Sequence, residues 1–179
     1  MRNTAILVIT ITAIFSSCDQ GGSTVSETDQ VLTRIDSLET IYFKDKESKA
    51  DPKTGMALVR SYAKYYRAHG SDSLAVDMLF KAGEVSMGLG QGNLAVKYFN
   101  ALSEDHASFH KAPEALFLTG FCSENLNQDT AQARTYYQKF IDTYPDHHLA
   151  QDAQFSIQNL GMSDEELIKM FEAKLNSQE

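Results

Sequence analysis

The sequence predicts an all-α chain, a row of antiparallel helical hairpins numbering about four, preceded by a leader and a polar tether. Two observations predict the fold. The stretch from Ala112 to Leu160 reads as an apolar-periodic segment, the polar turn NQDT, a second periodic segment and Pro145, which closes the unit. Within it Ala133 and Tyr137 stand one turn apart on one helical face, a small residue beside a large ring. The second observation is self-similarity. A shift of about 37 residues lays Leu79, Phe80 and Gly83 on Leu116, Phe117 and Gly120, and Ala95 and Phe99 on Ala133 and Tyr137. A similar shift forward lays Ala150, Ala153 and Phe155 on Ala112, Ala115 and Phe117. Two shifts back, Tyr62, Lys64 and Tyr65 fall on Tyr137, Lys139 and Phe140.

Small residue, ring and closing proline in this register resemble the tetratricopeptide repeat, whose usual unit is about 34 residues. The period here is slightly longer, so helices or turns are extended. The resemblance implies an α-solenoid in which the first helix of each repeat lines a concave groove. With Gly83 and Gly120 in register, the groove residues it implies are Asp77, Phe80, Glu84 and Met87, then Glu114, Phe117, Phe121 and Glu124, then Asp152 and Phe155. An acidic groove floored by phenylalanine rings suits an extended or helical peptide bearing Lys or Arg and apolar anchors. The competing reading is that the rings pack between repeats and the acids are merely solvated. The Lys/Asn clamp that some family members use for chaperone C-terminal carboxylates is absent.

The elements follow in order. Residues 1–17 read as a signal peptide: Arg2 supplies charge, and Thr4 to Phe15 is an apolar run shorter than the ~20 residues a permanent span needs. Phe15-Ser16-Ser17-Cys18 resembles a bacterial lipobox, with Phe15 where Leu is usual, which implies a lipidated Cys18. The alternative is ordinary cleavage that leaves Cys18 as a tail thiol. Residues 18–29 are then the anchor and a tether whose Gly, Ser, Thr and acidic content can bury nothing. Asp19 after the cysteine favours inner-membrane retention in some bacteria; the expectation here leans to the outer membrane, facing the periplasm.

Residues 30–176 form the repeat domain. Val31, Leu32, Ile35, Leu38, Ile41 and Tyr42 give an amphipathic helix from Gln30 to about Phe43, reaching into the KDKESK run. Asp51-Pro52 breaks it, a partner covers 54–68, and Ser71 or Asp72 caps the next helix, which runs to about Leu89. The run Gly88-Leu89-Gly90-Gln91-Gly92 lacks the Lys-Ser/Thr ending and preceding strand of a phosphate loop, so it reads as a hairpin turn before the helix 93–104. Near the end, a helix spans His148 to Leu160. Ser163 to Glu166 then offers a capping box before Leu167, Ile168, Met170, Phe171 and Leu175, read as a terminal capping helix with one wet face.

The chain's net charge of −8 disfavours nucleic acid, whose phosphates need a basic face. Cys122 falls on an apolar helical side and reads as a small buried hydrophobe. His106 and His110 are spaced for a divalent metal on a helix, but lie where the chain turns between repeats; His147 and His148 occupy the equivalent connection. No catalytic constellation emerges, and no cofactor is implied. Lipobox, tether and repeats together resemble small tetratricopeptide lipoproteins of Gram-negative, Bacteroidetes-type envelopes, which include components of outer-membrane barrel assembly and of envelope constriction. That implies a non-enzymatic, membrane-tethered scaffold binding a protein or peptide. Two other readings stand beside it: a structural protein self-associating through Tyr62, Tyr65 and Tyr66, and a metal enzyme at His106 and His110. The absence of Trp makes a glycan ligand less attractive.

Overall fold

The computed structural model describes residues 26–44, 51–70 and 72–176. The leader, Cys18 and most of the tether lie outside them. Among the described residues there are eight helices and no strand: α1 Glu27–Phe43, α2 Pro52–His69, α3 Ser73–Gly88, α4 Gly92–Asp105, α5 Ala112–Asn125, α6 Thr130–Thr143, α7 Ala150–Asn159 and α8 Asp164–Asn176. None is long and apolar enough to cross a membrane.

Local chemistry sets the boundaries. Ser26 Oγ accepts from the Asp29 amide at 3.1 Å, so α1 begins at Glu27 rather than Gln30. Asp51 starts α2: its carboxylate accepts from the Lys53 and Thr54 amides, and Pro52 takes the first helical position, where its missing N–H costs nothing. Asp72 caps α3 and Asp129 caps α6 in the same way. Gly90, at φ +69°, turns the chain between α3 and α4, as expected of that glycine-rich run. The equivalent turn after α5 places Gln128 at φ +54°. Gly92 is there for a different reason: a Cβ would collide with Leu126 and Asn127, so its absence lets successive hairpin turns stack.

From α1 through α7, adjacent helices pack in sequence order, the arrangement of a helical-hairpin solenoid. Three buried clusters follow one another. The first joins Val31 and Ile35 of α1, Leu58, Val59, Tyr62 and Tyr65 of α2, and Ala75, Met78, Ala82 and Val85 of α3. The second runs from α3 through Ala95, Phe99 and Leu102 of α4 to Ala112, Ala115 and Cys122 of α5. The third gathers Leu116 of α5, Ala133, Tyr137 and Phe140 of α6, and Ala150 and Ala153 of α7. Each cluster therefore spans one hairpin and the first helix of the next, so no hairpin buries its apolar face alone. Tyr62, Phe99, Tyr137 and Phe140 are fully buried, each contributing about 1.5–3 kcal/mol of transfer free energy. Burial also pushes the Cys122 thiol up to about 11, which leaves it inert at neutral pH.

The repeated glycines explain how the rings fit. A Cβ on Gly83 would stand 2.6 Å from the Phe99 ring, and one on Gly120 2.8 Å from the Tyr137 ring. In both hairpins a missing side chain on the first helix is the seat for a ring on the second.

Two expectations are corrected. Tyr62 and Tyr65 are buried, and half-buried Tyr66 bonds His106 Nε2 through its hydroxyl at 2.8 Å, so these tyrosines do not form a self-association surface. They point inward because α3 covers the face of α2 that carries them. The second correction concerns α8. Its capping box forms, with the Ser163 amide donating to Glu166 Oε2 at 2.8 Å. Yet Ile168, Phe171 and Leu175, expected inward, are exposed. The register gives the reason: Gln158 of α7 stands where Gly83 and Gly120 stand, so no seat exists for Phe171. Its ring instead stacks on Phe155, centroids 5.9 Å apart.

Candidate functional site

The acids that the sequence places along the first helices have different fates in the structure. Asp77 of α3 is held by Lys111 Nζ at 2.7 Å, and the same ammonium sits 4.7 Å from the centre of the Phe80 ring. Glu114 occupies the equivalent place on α5, and His147, just before α7, comes within 3.6 Å of its Oε1. Its Oε2 is buried without a hydrogen-bond partner. Both acids thus face a basic side chain at the start of the next first helix, a clasp between repeats. Asp152, next in the series, is exposed at the last described first helix. Glu124 accepts the Tyr137 hydroxyl at 2.8 Å.

Glu84 differs. No hydrogen bond or ion pair engages its carboxylate, though Lys81 and Lys111 act on it from a distance. Crowding by its neighbours holds it above the ordinary carboxylate range; Lys111 opposes this, Asp77 adds to it and Lys81 opposes it.

The rings divide too. Phe80 is buried and packs edge-on to Phe99, centroids 5.4 Å apart. Phe117 is half-buried against Tyr137 and Phe140. These two serve the packing between helices. Phe121 and Phe155 remain 39% and 40% exposed. Met87 is half-buried against the second cluster.

Glu84 lies in the wall of a recess of about 480 Å³ between α1 and α3. Glu39, Tyr42 and Phe43 come from α1, Tyr62 from α2, and Lys81, Val85 and Gly88 from α3. The Glu39 side of the recess is internally satisfied: its Oε1 accepts the Tyr62 hydroxyl at 2.6 Å and Lys81 Nζ at 3.0 Å. Burial, and then the carboxylate of Glu39, drives the Tyr62 phenol far above its ordinary value, so it stays a donor. Of these lining residues, the sequence reading places only Glu84 at the groove. The α1–α2 connection is longer than the later hairpin turns, so α1 cannot be put in register by a uniform shift. The signal that could have found Glu39 is the Glu–Tyr pairing itself, which recurs at Glu124 and Tyr137.

His106 and His110 do not share a helical face. The chain turns between α4 and α5, His106 engages Tyr66, and His110 stacks on Phe109 with centroids 4.4 Å apart. No group of three or more metal-capable side chains gathers among the described residues.

No curated protein matches the chain. A tetratricopeptide repeat is found at residues 114–147, which covers α5 from Glu114 onward, all of α6 and the closing Pro145, the stretch where glycine seat, buried ring and proline all occur together.

Proposed function

We propose that this chain is a lipid-anchored scaffold of the bacterial envelope whose first-helix face docks a segment of a protein partner. One observation carries the docking reading. Glu84 and Phe121 occupy the same register position on α3 and α5, each following its seating glycine; the Glu84 carboxylate has no bonding partner, and Phe121 stays 39% exposed. An unpartnered carboxylate and an exposed ring in one row offer a charge and an apolar surface to an incoming segment. Support for the coarser class comes from the repeat at 114–147, since helical repeats of this kind commonly present protein-binding surfaces. Anchoring through Cys18, with the domain facing the periplasm from the outer membrane, rests on the leader and lipobox-like sequence.

The test is photo-crosslinking in the native cell from Phe121, with exposed Asn176 on α8 as control. A discrete protein adduct from Phe121 alone supports docking and identifies the partner. No adduct, from a chain confirmed folded, overturns it. Globomycin-sensitive processing and acylation of Cys18 test the anchor separately; a mature chain that keeps a free Cys18 thiol removes it.

A further inference from the structure

We propose that the recess between α1 and α3 is a site for one cationic side chain of a docked protein segment, arginine in preference to lysine, with Glu84 as its counter-charge. This rests on the docking reading and specifies what that face selects.

The argument is charge arithmetic on a defined shape. The recess holds two carboxylates and one ammonium among its lining residues, and Lys81 is already bound to Glu39. The Tyr62 hydroxyl is committed to the same Glu39 oxygen. Beyond the recess, Asp77 and Lys111 neutralise each other. One negative charge, that of Glu84, is left without a contact partner, and a charge kept beside apolar walls gains most from an incoming opposite charge. Around it, Tyr42, Phe43 and Val85 present apolar surface. The Tyr42 and Phe43 rings stand edge to face, centroids 4.9 Å apart, and both line the recess that Glu84 lines. A guanidinium suits such a place better than an ammonium, because it can bond a carboxylate through two N–H groups and stack on a ring with the same plane. At the mouth, Gly88 leaves open space, with nothing within 4 Å of where a Cβ would stand. The volume, about 480 Å³, lies in the range of small ligand pockets and accommodates a side chain with its flanking backbone.

An anion is excluded by Glu84 and Glu39, and a neutral apolar anchor would leave the Glu84 carboxylate sealed without a partner, which costs more than an apolar contact returns. The occupant is therefore cationic on an apolar stem.

The test uses the full chain in detergent micelles, with methyl-labelled valine and methionine observed by NMR. The probes are four capped tripeptides, leucine on both sides of arginine, lysine, citrulline or norleucine. The arginine peptide should shift the Val85 methyls most strongly, with lysine weaker, and citrulline and norleucine at least about tenfold weaker in apparent affinity. Glu84→Gln should abolish the preference for charge. Glu84 is exposed and makes no structural bond, so this variant folds. Equal titration by citrulline, indifference to Glu84→Gln, or no shift at Val85 overturns the proposal. Failure of the docking reading shows differently, as loss of the Phe121 adduct in cells. An adduct that persists in Glu84→Gln cells at wild-type yield, with peptides that fail to discriminate, rejects the cation site and leaves docking intact.

Discussion

Tyr137 donates its hydroxyl hydrogen to Glu124 across the α5–α6 hairpin, at 2.8 Å. The first hairpin makes the same bond, Tyr62 to Glu39 at 2.6 Å. In the middle hairpin both members are replaced together: Phe99 stands at the tyrosine position and Met87 at the glutamate position. A ring can thus be buried with its polar tip paired, or with no polar tip at all.

That alternation predicts a coupled pair. Tyr137→Phe should cost about 1 kcal/mol, the net value of a bond to a charged acceptor that stays partly solvated. Glu124→Met should cost about 1–3 kcal/mol, because it removes the main acceptor of a buried phenol, although Ser156 also reaches that oxygen. The double variant reproduces the middle hairpin's chemistry and should cost less than the sum by about 1 kcal/mol. Urea unfolding of the four proteins gives the cycle. Strict additivity would show that the bond contributes nothing.

Glycine substitutions separate the seat from simple helix propensity. Alanine is intrinsically better in a helix than glycine by about 1 kcal/mol. At Gly83 and Gly120, however, the new methyl would press on Phe99 and Tyr137 at 2.6 and 2.8 Å, and net destabilisation of about 1–3 kcal/mol is expected. Gly88→Ala meets nothing within 4 Å and should be neutral or stabilising by up to about 1 kcal/mol. Thermal denaturation ranks the three; a stabilised Gly120→Ala would mean that the hairpin can open without cost.

What was legible in the sequence follows from which interactions are periodic. The glycine seats, Ala95 and Phe99, and Ala133 and Tyr137 repeat in phase, so helix order, turn positions and the burial of Cys122 could all be read. The fate of each acid could not, because it depends on a cation from another helix. Asp77 looks like a groove residue until Lys111 is seen to reach back to it. Nor does inward periodicity reveal whether a neighbour exists. The α8 stripe has correct spacing, but Gln158 denies Phe171 a seat. Tyr65 fails in the opposite sense, being polar-tipped and suited to a surface, yet buried because α3 packs over it.

The looseness of α8 is itself measurable. Phe171 and Tyr137 lie the same distance past their helix caps, Ser163 and Asp129. Truncation of a fully buried ring should be severe, so Tyr137→Ala and Phe140→Ala are expected to cost about 3–5 kcal/mol. Phe171, 48% exposed and stacked only on a ring that is itself exposed, should cost below about 1 kcal/mol when replaced by Ala. Hydrogen exchange should show α8 opening at lower free energy than α6. A Phe171→Ala penalty as large as that of Tyr137→Ala would show α8 to be part of the cooperative core.

Glu84 gives a prediction in which stability and binding move in opposite directions. Partial desolvation by its neighbours holds its carboxyl above the usual value in the folded chain. An acid raised in this way loses its proton first in the unfolded state, so folding is penalised as pH rises through the ordinary value near 4 and on through the folded one. Below that window both states are protonated and the penalty vanishes. Glu84→Gln should therefore match wild type at about pH 3, and exceed it near neutrality by about 0.5 kcal/mol or less, since solvent screens a residue this exposed. Lys81 and Lys111 act in the opposite sense and keep the effect small; Asp77 reinforces it. A carboxylate retained purely for the fold would show the reverse, with its replacement less stable at neutral pH than at acid pH. Chemical denaturation of both proteins across pH 3–7 decides between them. A more stable Glu84→Gln chain that has lost its preference for the arginine peptide identifies a residue kept against stability, for what it binds.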